Sequence, residues 1–248
     1  MGWAITALWT VVLALSLIFN MREVYRGTNA LAFEGLRISI EKDVLYRRWA
    51  TDHGGVYVPV TGETPPSPYL RHIPERDIQT PSGRGLTLVN PAYMTRQVNE
   101  MAMKQHGTRG HITSLKPLNP GNAPDPWERE ALKEFEKGIK EVRAVLDLNG
   151  EPSMRLMRPF ITEKGCLKCH AHQGYSLGEI RGGISISYPM GPFLSVMRSR
   201  WVVLVAGHAV LWLLGLGGVW FAFIRLETSA RQRREALGAI QIEKNNFQ

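Results

Sequence analysis

The stretch EVRAVLDLNGEPSMRLMRP, residues 141–159, decides the fold of the central part of this chain. Asn149-Gly150 stands between two runs, Glu141 to Leu148 and Ser153 to Pro159. This predicts an antiparallel hairpin closed by a two-residue turn, since Asn-Gly tolerates the positive φ such a turn requires. Downstream, Gly182-Gly183-Ile184-Ser185-Ile186-Ser187-Tyr188 reads as a closing strand. Upstream, Val56 to Val60 reads as a short edge strand, because Pro59 cannot donate to a ladder. Leu86 to Val89 and His111 to Leu115 are also strand-like. Asn90 caps a helix with Pro91 in its first turn and Gly107 at its end. Met94, Val98, Met101 and Ala102 share one face of that helix. Asp125-Pro126 starts another, with Leu132, Phe135 and Ile139 inward. Antiparallel strands with helices on one side define an α+β domain. Residues 61–85 hold Pro65, Pro66, Pro68, Pro74 and Pro81 and read as an ordered surface loop lying over a cofactor.

Past the hairpin, in what reads as a loop, comes Gly165-Cys166-Leu167-Lys168-Cys169-His170. It contains both cysteines of the chain. Two thiols at this spacing followed by a histidine read as the covalent attachment site of a c-type haem. Each thiol forms a thioether with one vinyl group, and His170 becomes the proximal axial ligand. Three other readings use fewer of these residues. A zinc site needs further ligands from His72, His172 or an acid. A redox Cys-x-x-Cys belongs after a strand in a βαβ pattern, which is not seen here. A plain disulfide has no need of the histidine.

Farther out, Trp3 to Phe19 is free of charge, long enough to cross a hydrocarbon core of ~30 Å. It lacks the basic start and small-x-small exit of a cleavable signal, so residues 1–21 are read as an uncleaved transmembrane signal anchor. Trp201 to Ile224 is a second apolar run with one ionisable side chain, His208. A histidine at that depth is a functional-site candidate; with no histidine in the first span, the favoured reading is a neutral imidazole bonded to a partner helix. Arg225, Arg231, Arg233 and Arg234 follow the second run and place the C-terminus on the cytoplasmic side. Both termini are then inside, and the block between lies in the periplasm or outside, anchored to a bacterial inner (cytoplasmic) membrane, where c-type haem attachment takes place. The expected layout is a helical stalk over 22–50, the haem domain over 51–198, a span over 201–224 and a cytoplasmic helical linker over 225–248. The net charge of +8 is spread along the chain without aromatic-and-basic interleaving, which speaks against nucleic acid.

Thr113-Ser114-Leu115-Lys116 with Asn119-Pro120-Gly121-Asn122-Ala123-Pro124-Asp125-Pro126-Trp127-Glu128 resembles the hallmark of a family of c-type haem domains. Members occur as small soluble haem proteins in cyanobacteria and other bacteria, and as extracytoplasmic input domains of membrane-bound histidine kinases. His53-Gly54-Gly55-Val56-Tyr57, Asn90-Pro91-Ala92-Tyr93-Met94 and Arg181-Gly182-Gly183 are similar to the membrane-bound branch. The resemblance covers roughly residues 30–190. It implies a PAS-like fold and a role in redox or gas sensing. Soluble members use a cysteine as second axial ligand; here both cysteines are engaged as thioethers. Met94, near the aligned position, is the leading expectation for a distal ligand, with His53 and His111 as alternatives; His72, His106, the other methionines or an open site follow, while His172, two residues from the proximal ligand, is not expected to reach the opposite face. Trp127 and Tyr93 are expected to wall the pocket.

In the tail, Leu226, Ala230, Arg233, Leu237, Ile240, Lys244 and Phe247 alternate steps of four and three, the pattern of a weak two-helix seam. Two function classes follow. One is a dimeric membrane sensor with one covalent haem c, passing its signal to a cytoplasmic module such as a kinase. The other is a membrane-anchored monohaem cytochrome passing electrons to a redox partner. No Ser/His/Asp constellation, paired carboxylates or Walker-type loop stands out, so the chain is expected not to be an enzyme.

Overall fold

The computed structural model of the chain describes residues 2–170 and 173–246, without the side chains of Lys168, Cys169 and residues 240–246. In chain order the elements are α1 (Gly2–Asp52), β1 (Val56–Pro59), β2 (Asp77–Gln79), β3 (Gly85–Val89), α2 (Pro91–His106), β4 (Arg109–Thr113), α3 (Pro126–Glu136), β5 (Val142–Leu148), β6 (Glu151–Ile161), α4 (Lys164–His170), β7 (Ile180–Pro189) and α5 (Gly191–Asn246). Two compact units result, Ala30–Pro192 and the pairing of the segments before Ala30 and after Pro192.

The first unit is the expected α+β domain, antiparallel sheet with flanking helices. Its larger sheet has the order β4-β7-β6-β5, so the first strand lies beside the last. The hairpin of β5 and β6 closes on Asn149 (φ 60°) and Gly150 (φ 86°), as the two-residue turn demands. A smaller sheet pairs β1, β3 and β2, with β1 at an edge as Pro59 requires. The proline-rich segment also holds a 3₁₀ turn at Pro68–Leu70 besides β2. A Cβ on Gly182 would lie 2.2 Å from the Thr113 carbonyl oxygen, so only glycine lets β7 approach β4 there.

Helices lie on both faces of the larger sheet, not on one. Every residue from Ser153 to Met157 is buried, which covering a single face cannot achieve. On one face α3 packs Ala131, Leu132 and Phe135 against Met157, with Trp127, Val142 and Ile180 around them. On the other, α1 reaches the sheet through Tyr188 Oη, which donates to Ser39 Oγ (3.2 Å), and through a 2.9 Å ion pair between Arg158 and Glu41. Within the expected stalk, residues 30–50 are thus the part that joins the domain. Their buried positions are Ala32, Leu36, Ile40, Arg47 and Ala50, while Leu31, Ile38, Leu45 and Trp49 stay exposed on another face.

Helix α2 is capped as expected. Asn90 Oδ1 accepts from the Tyr93 amide at 2.9 Å, and Gly107 ends the helix at φ 67°. Its inward face is not the expected one: Tyr93 and Thr95 are buried, whereas Val98 and Met101 are exposed. The polar groups turn inward because each has a partner. Tyr93 Oη donates to the Pro65 carbonyl (2.9 Å), and Thr95 Oγ1 accepts from the buried Arg47 (3.2 Å). Ile139, expected inward, lies past the end of α3 and is exposed.

The second unit pairs two helices long and apolar enough to cross a membrane. Trp212 Nε1 donates to Thr10 Oγ1 at 3.0 Å, and a Cβ on Gly215 would run into the Trp9 indole. His208 Nε2 lies 3.2 Å from Ser16 Oγ while its Nδ1 lies 2.8 Å from the Leu204 carbonyl. A neutral ring donating from Nδ1 and accepting at Nε2 satisfies both, the helix-to-helix bond expected of it.

Candidate functional site

His170 reaches a cleft with a cavity volume of about 120 Å³ that opens to solvent. The cleft is built where five parts of the domain meet. The proline-rich segment gives Tyr69, Leu70 and His72, and the first turns of α2 give Asn90, Ala92, Tyr93 and Arg96. The end of β4 and the loop after it give Ile112, Ser114, Lys116, Leu118 and Asn119, and the end of β6 gives Phe160. Gln173, Tyr175 and Arg181 close it from the chain around α4 and the start of β7.

The motif expected in a loop forms a short helix, α4. One- to two-turn helices carry too little periodicity to be read from sequence. The helix is what makes the motif chemically coherent, since Cys166 and His170 at i and i+4 share one face. Cys166 is a half-buried free thiol, and its Sγ lies 3.4 Å from the Glu163 amide. Gly165 lets α4 pack tightly: a Cβ there would lie 2.2 Å from Thr51 Cγ2. His170 Nδ1 is 2.5 Å from Gln173 Oε1. With the proton on Nδ1 donated to that oxygen, the ring orientation is fixed and the lone pair is on Nε2, the arrangement typical of a metal-ligating histidine.

The electrostatics of the cleft are one-sided. Arg96, Lys116 and Arg181 line it, and none of its described lining residues is a carboxylate. The Arg96 guanidinium lies over the Tyr93 ring at 4.7 Å. An apolar wall of Leu70, Ile112, Leu118 and Phe160 with cations at hand suits a flat apolar group bearing acidic substituents. These residues fit the porphyrin expected from the motif. Behind Phe160 stands Arg47, its guanidinium 4.4 Å from the ring, bonded to the Pro91 carbonyl and Thr95 Oγ1 at 3.2 Å each. Burial, and then the repulsion of Arg181, lower its pKa to about 10, so it remains charged at neutral pH.

The Asn-Pro-Gly-Asn stretch shapes the cleft rim. Asn119 Oδ1 accepts from the Gly121 amide (2.9 Å) and from Tyr69 Oη (3.2 Å), tying the rim to the proline-rich segment. Thr113 Oγ1 donates to the Asn122 carbonyl (2.9 Å), and Ser114 Oγ donates to the Arg181 carbonyl (2.8 Å).

The Asp-Pro-Trp-Glu stretch does something else. Asp125 and Glu128 form a reciprocal capping box at the start of α3. Glu128 is fully buried and gathers His111 Nδ1 (2.9 Å), Arg155 (2.8 Å) and Ser185 Oγ (2.5 Å). Burial pushes its carboxyl up, and the hydrogen bonds from His111 and Ser185 outweigh this and hold it below the usual range. The same hydrogen bond raises the His111 pKa. Arg155 lies over Trp127 at 4.5 Å and pairs with Asp125 at 2.6 Å. This network escaped sequence reading because its members come from four elements; only the Asp-x-x-Glu box was visible locally.

The structure thus brings together Tyr93 and His170, and with them His72. It does not bring Met94, His53 or His111 to that cleft. Tyr93 and Arg96, three apart on α2, face it, so Met94 and Gln97 face a separate cavity with Val56, Val58 and Val89. His53 stacks on Trp49, ring centroids 4.4 Å apart, at the end of α1. His111 uses both nitrogens, on Glu128 and on the Gly121 carbonyl at 3.0 Å. Trp127 walls no part of the cleft, being held on Arg155. His106 closes α2 outside the lining, and His172 lies outside the described residues. Among the described residues, no group of three or more His, Cys, Asp or Glu side chains gathers as a ready metal cage.

Fold and cleft together define an α+β domain with a Cys-x-x-Cys-His helix at the mouth of a cation-lined pocket. A family model described as Tll0287-like matches residues 33–189, more than half of the chain, and the chain belongs to that family. Among solved structures, the cyanobacterial haem protein Tll0287 matches with 19% identity and a TM-score of 0.31, over 38% of this chain and 68% of its own. A C-terminal domain from Streptococcus mutans matches with 10% identity and a TM-score of 0.26, over 49% of this chain and 99% of its own. No curated protein matches the chain.

Proposed function

We propose that the chain is a membrane-anchored c-type haem sensor. Cys166 and Cys169 tether one haem by thioethers, and His170 is its proximal ligand. The observation behind this is the placement of His170, oriented by Gln173, in a cleft with three cations and no carboxylate among its described lining residues. Family membership supports it, since the cyanobacterial relative is a haem protein. When bound, the haem supplies a one-electron couple and an iron site for small ligands. The domain's part is to hold the ring on His170, to offset the acidic substituents with Arg96, Lys116 and Arg181, and to shield the porphyrin face with Phe160, Leu70 and Leu118.

In this reading the Ala30–Pro192 unit lies outside the cytoplasm of a bacterium, on two spans of the inner membrane. The protein acts as a homodimer without catalysis of its own. Leu31, Ile38 and Leu45 step by seven and remain exposed, as a pairing seam requires. Leu226 and Leu237 are exposed on the continuous α5, which suits output to a cytoplasmic signalling partner.

The test is haem staining of the purified protein after denaturation, from cells with a working c-type maturation system. Retained haem in the parent and none in the Cys166→Ala/Cys169→Ala variant is expected; haem retained by that variant rejects the tether. Sensor and carrier then part by rate. Rapid electron exchange with quinols or small cytochromes, with no change in dimer cross-linking on reduction, would favour the carrier.

A further inference from the structure

Haem iron held by one histidine takes its second axial ligand from the other side of the ring, most often from His, Met, Cys or Tyr. The described residues lining the cleft include no methionine or cysteine. Its three tyrosines donate their hydroxyls to protein oxygens: Tyr69 to Asn119 Oδ1 (3.2 Å), Tyr93 to the Pro65 carbonyl (2.9 Å) and Tyr175 to the Arg181 carbonyl (3.4 Å). One imidazole besides His170 lines the same cleft among the described residues, that of His72. It comes from a different wall, the proline-rich segment. The geometry points to His72 as the second axial ligand. This inference rests on the haem reading of His170.

His72 is exposed, and the turn that carries it is held in place. Leu70, two residues before it, is fully buried and anchors the 3₁₀ turn. The turn continues through Ile73, whose amide donates to the Leu70 carbonyl at 3.0 Å. On one side, Tyr69 and Pro65 tie the segment to Asn119 and to α2. On the other, the Arg76 carbonyl accepts from the Leu88 amide of β3 at 2.7 Å. An imidazole carried on so braced a turn can remain bound in both oxidation states. Entry of an external diatomic ligand then requires displacement of His72, and the segment from Glu63 to Arg76 is what that displacement moves.

The experiment uses the full chain in detergent, loaded with haem, with covalent haem measured after denaturation in every sample. Ferric parent protein is expected to give a low-spin, two-imidazole signature by electron paramagnetic resonance and near-infrared magnetic circular dichroism. In His72→Ala, haem content should be unchanged, the low-spin signal should be lost, and added imidazole should restore it. A low-spin signal unchanged in His72→Ala, or lost instead in Met94→Ala or His172→Ala, overturns the assignment. If His72→Ala fails to accumulate, the parent decides alone: a histidine–methionine band in the near-infrared overturns it, and a two-imidazole band that persists in His172→Ala upholds it. Parent protein without covalent haem rejects the haem reading itself, and with it this ligand; the denatured-haem measurement separates the two failures.

Discussion

Two polar centres in the Ala30–Pro192 unit are built on opposite terms. At Glu128, carboxylate, guanidinium, imidazole and hydroxyl converge and answer one another, with Glu128 and Arg155 both buried. In the cleft, Arg96, Lys116 and Arg181 stand on a lining that includes no described carboxylate, Arg96 reaching Glu100 outside that lining at 3.6 Å, and a histidine oriented by Gln173 lines the same space. A buried network, here bonded except at Arg155 Nε, rigidifies a fold, whereas an open cleft with cations on its lining suits an acidic group. Both draw on the same segment between β4 and α3, whose Asn-Pro-Gly-Asn half shapes the cleft rim and whose Asp-Pro-Trp-Glu half holds the core.

The contrast is open to direct attack. Glu128→Ala leaves the Arg155 charge buried with only Asp125 to pair it, and should cost ~3–5 kcal/mol. Denaturant unfolding of the full chain in detergent would show it, with the spectrum of any bound haem little altered. A loss below ~1 kcal/mol would mean that the network holds far less than its geometry implies. Gly182→Ala comes next, at ~1–3 kcal/mol, because the new methyl meets the Thr113 backbone oxygen and not a yielding side chain.

The pH dependence is a finer probe. The folded pKa of His111 is raised above 6.5, so its contribution is full below that pH and fades as pH rises through the raised value. Glu128 is depressed below 4.5, so its contribution is present above that pH and fades as pH falls through the lowered value. Stability of the parent should therefore fall as pH rises from 6.5 through that raised value, and His111→Gln should flatten that limb; an equal slope in both removes His111 from the account. Smallest in stability is Gln173→Ala, expected within about 0.5 kcal/mol of the parent. It should instead shift the iron spectrum and midpoint potential by loosening His170, and an unchanged spectrum would mean that Gln173 does not orient the ligand.

What could be read from the sequence follows from how locally each feature is determined. The Asn149-Gly150 hairpin and the Asn90 and Gly107 caps were legible because backbone geometry alone selects those residues. The inward face of α2 was not, because Tyr93 and Thr95 are drawn in by partners remote in sequence. For the same reason Met94 looked suited to the site while His72 was one name among several: a turn of 100° per residue separates the faces of a helix, and only the packed domain shows which face meets the cleft. The helical state of the haem motif was lost to its shortness, and the second layer of helices to the assumption that the sheet keeps one face in water.

Arg47 is the feature with the longest reach. A permanent positive charge lies in a poorly polarisable wall, one aromatic ring away from the cleft, and water cannot screen it as it would at the surface. Whatever enters there meets a standing bias toward the electron-rich form, set by the first helix of the domain and independent of which side chain grips the iron. Replacing that one buried guanidinium by a neutral side chain would lift the bias from whatever the cleft holds without touching the cleft's own lining.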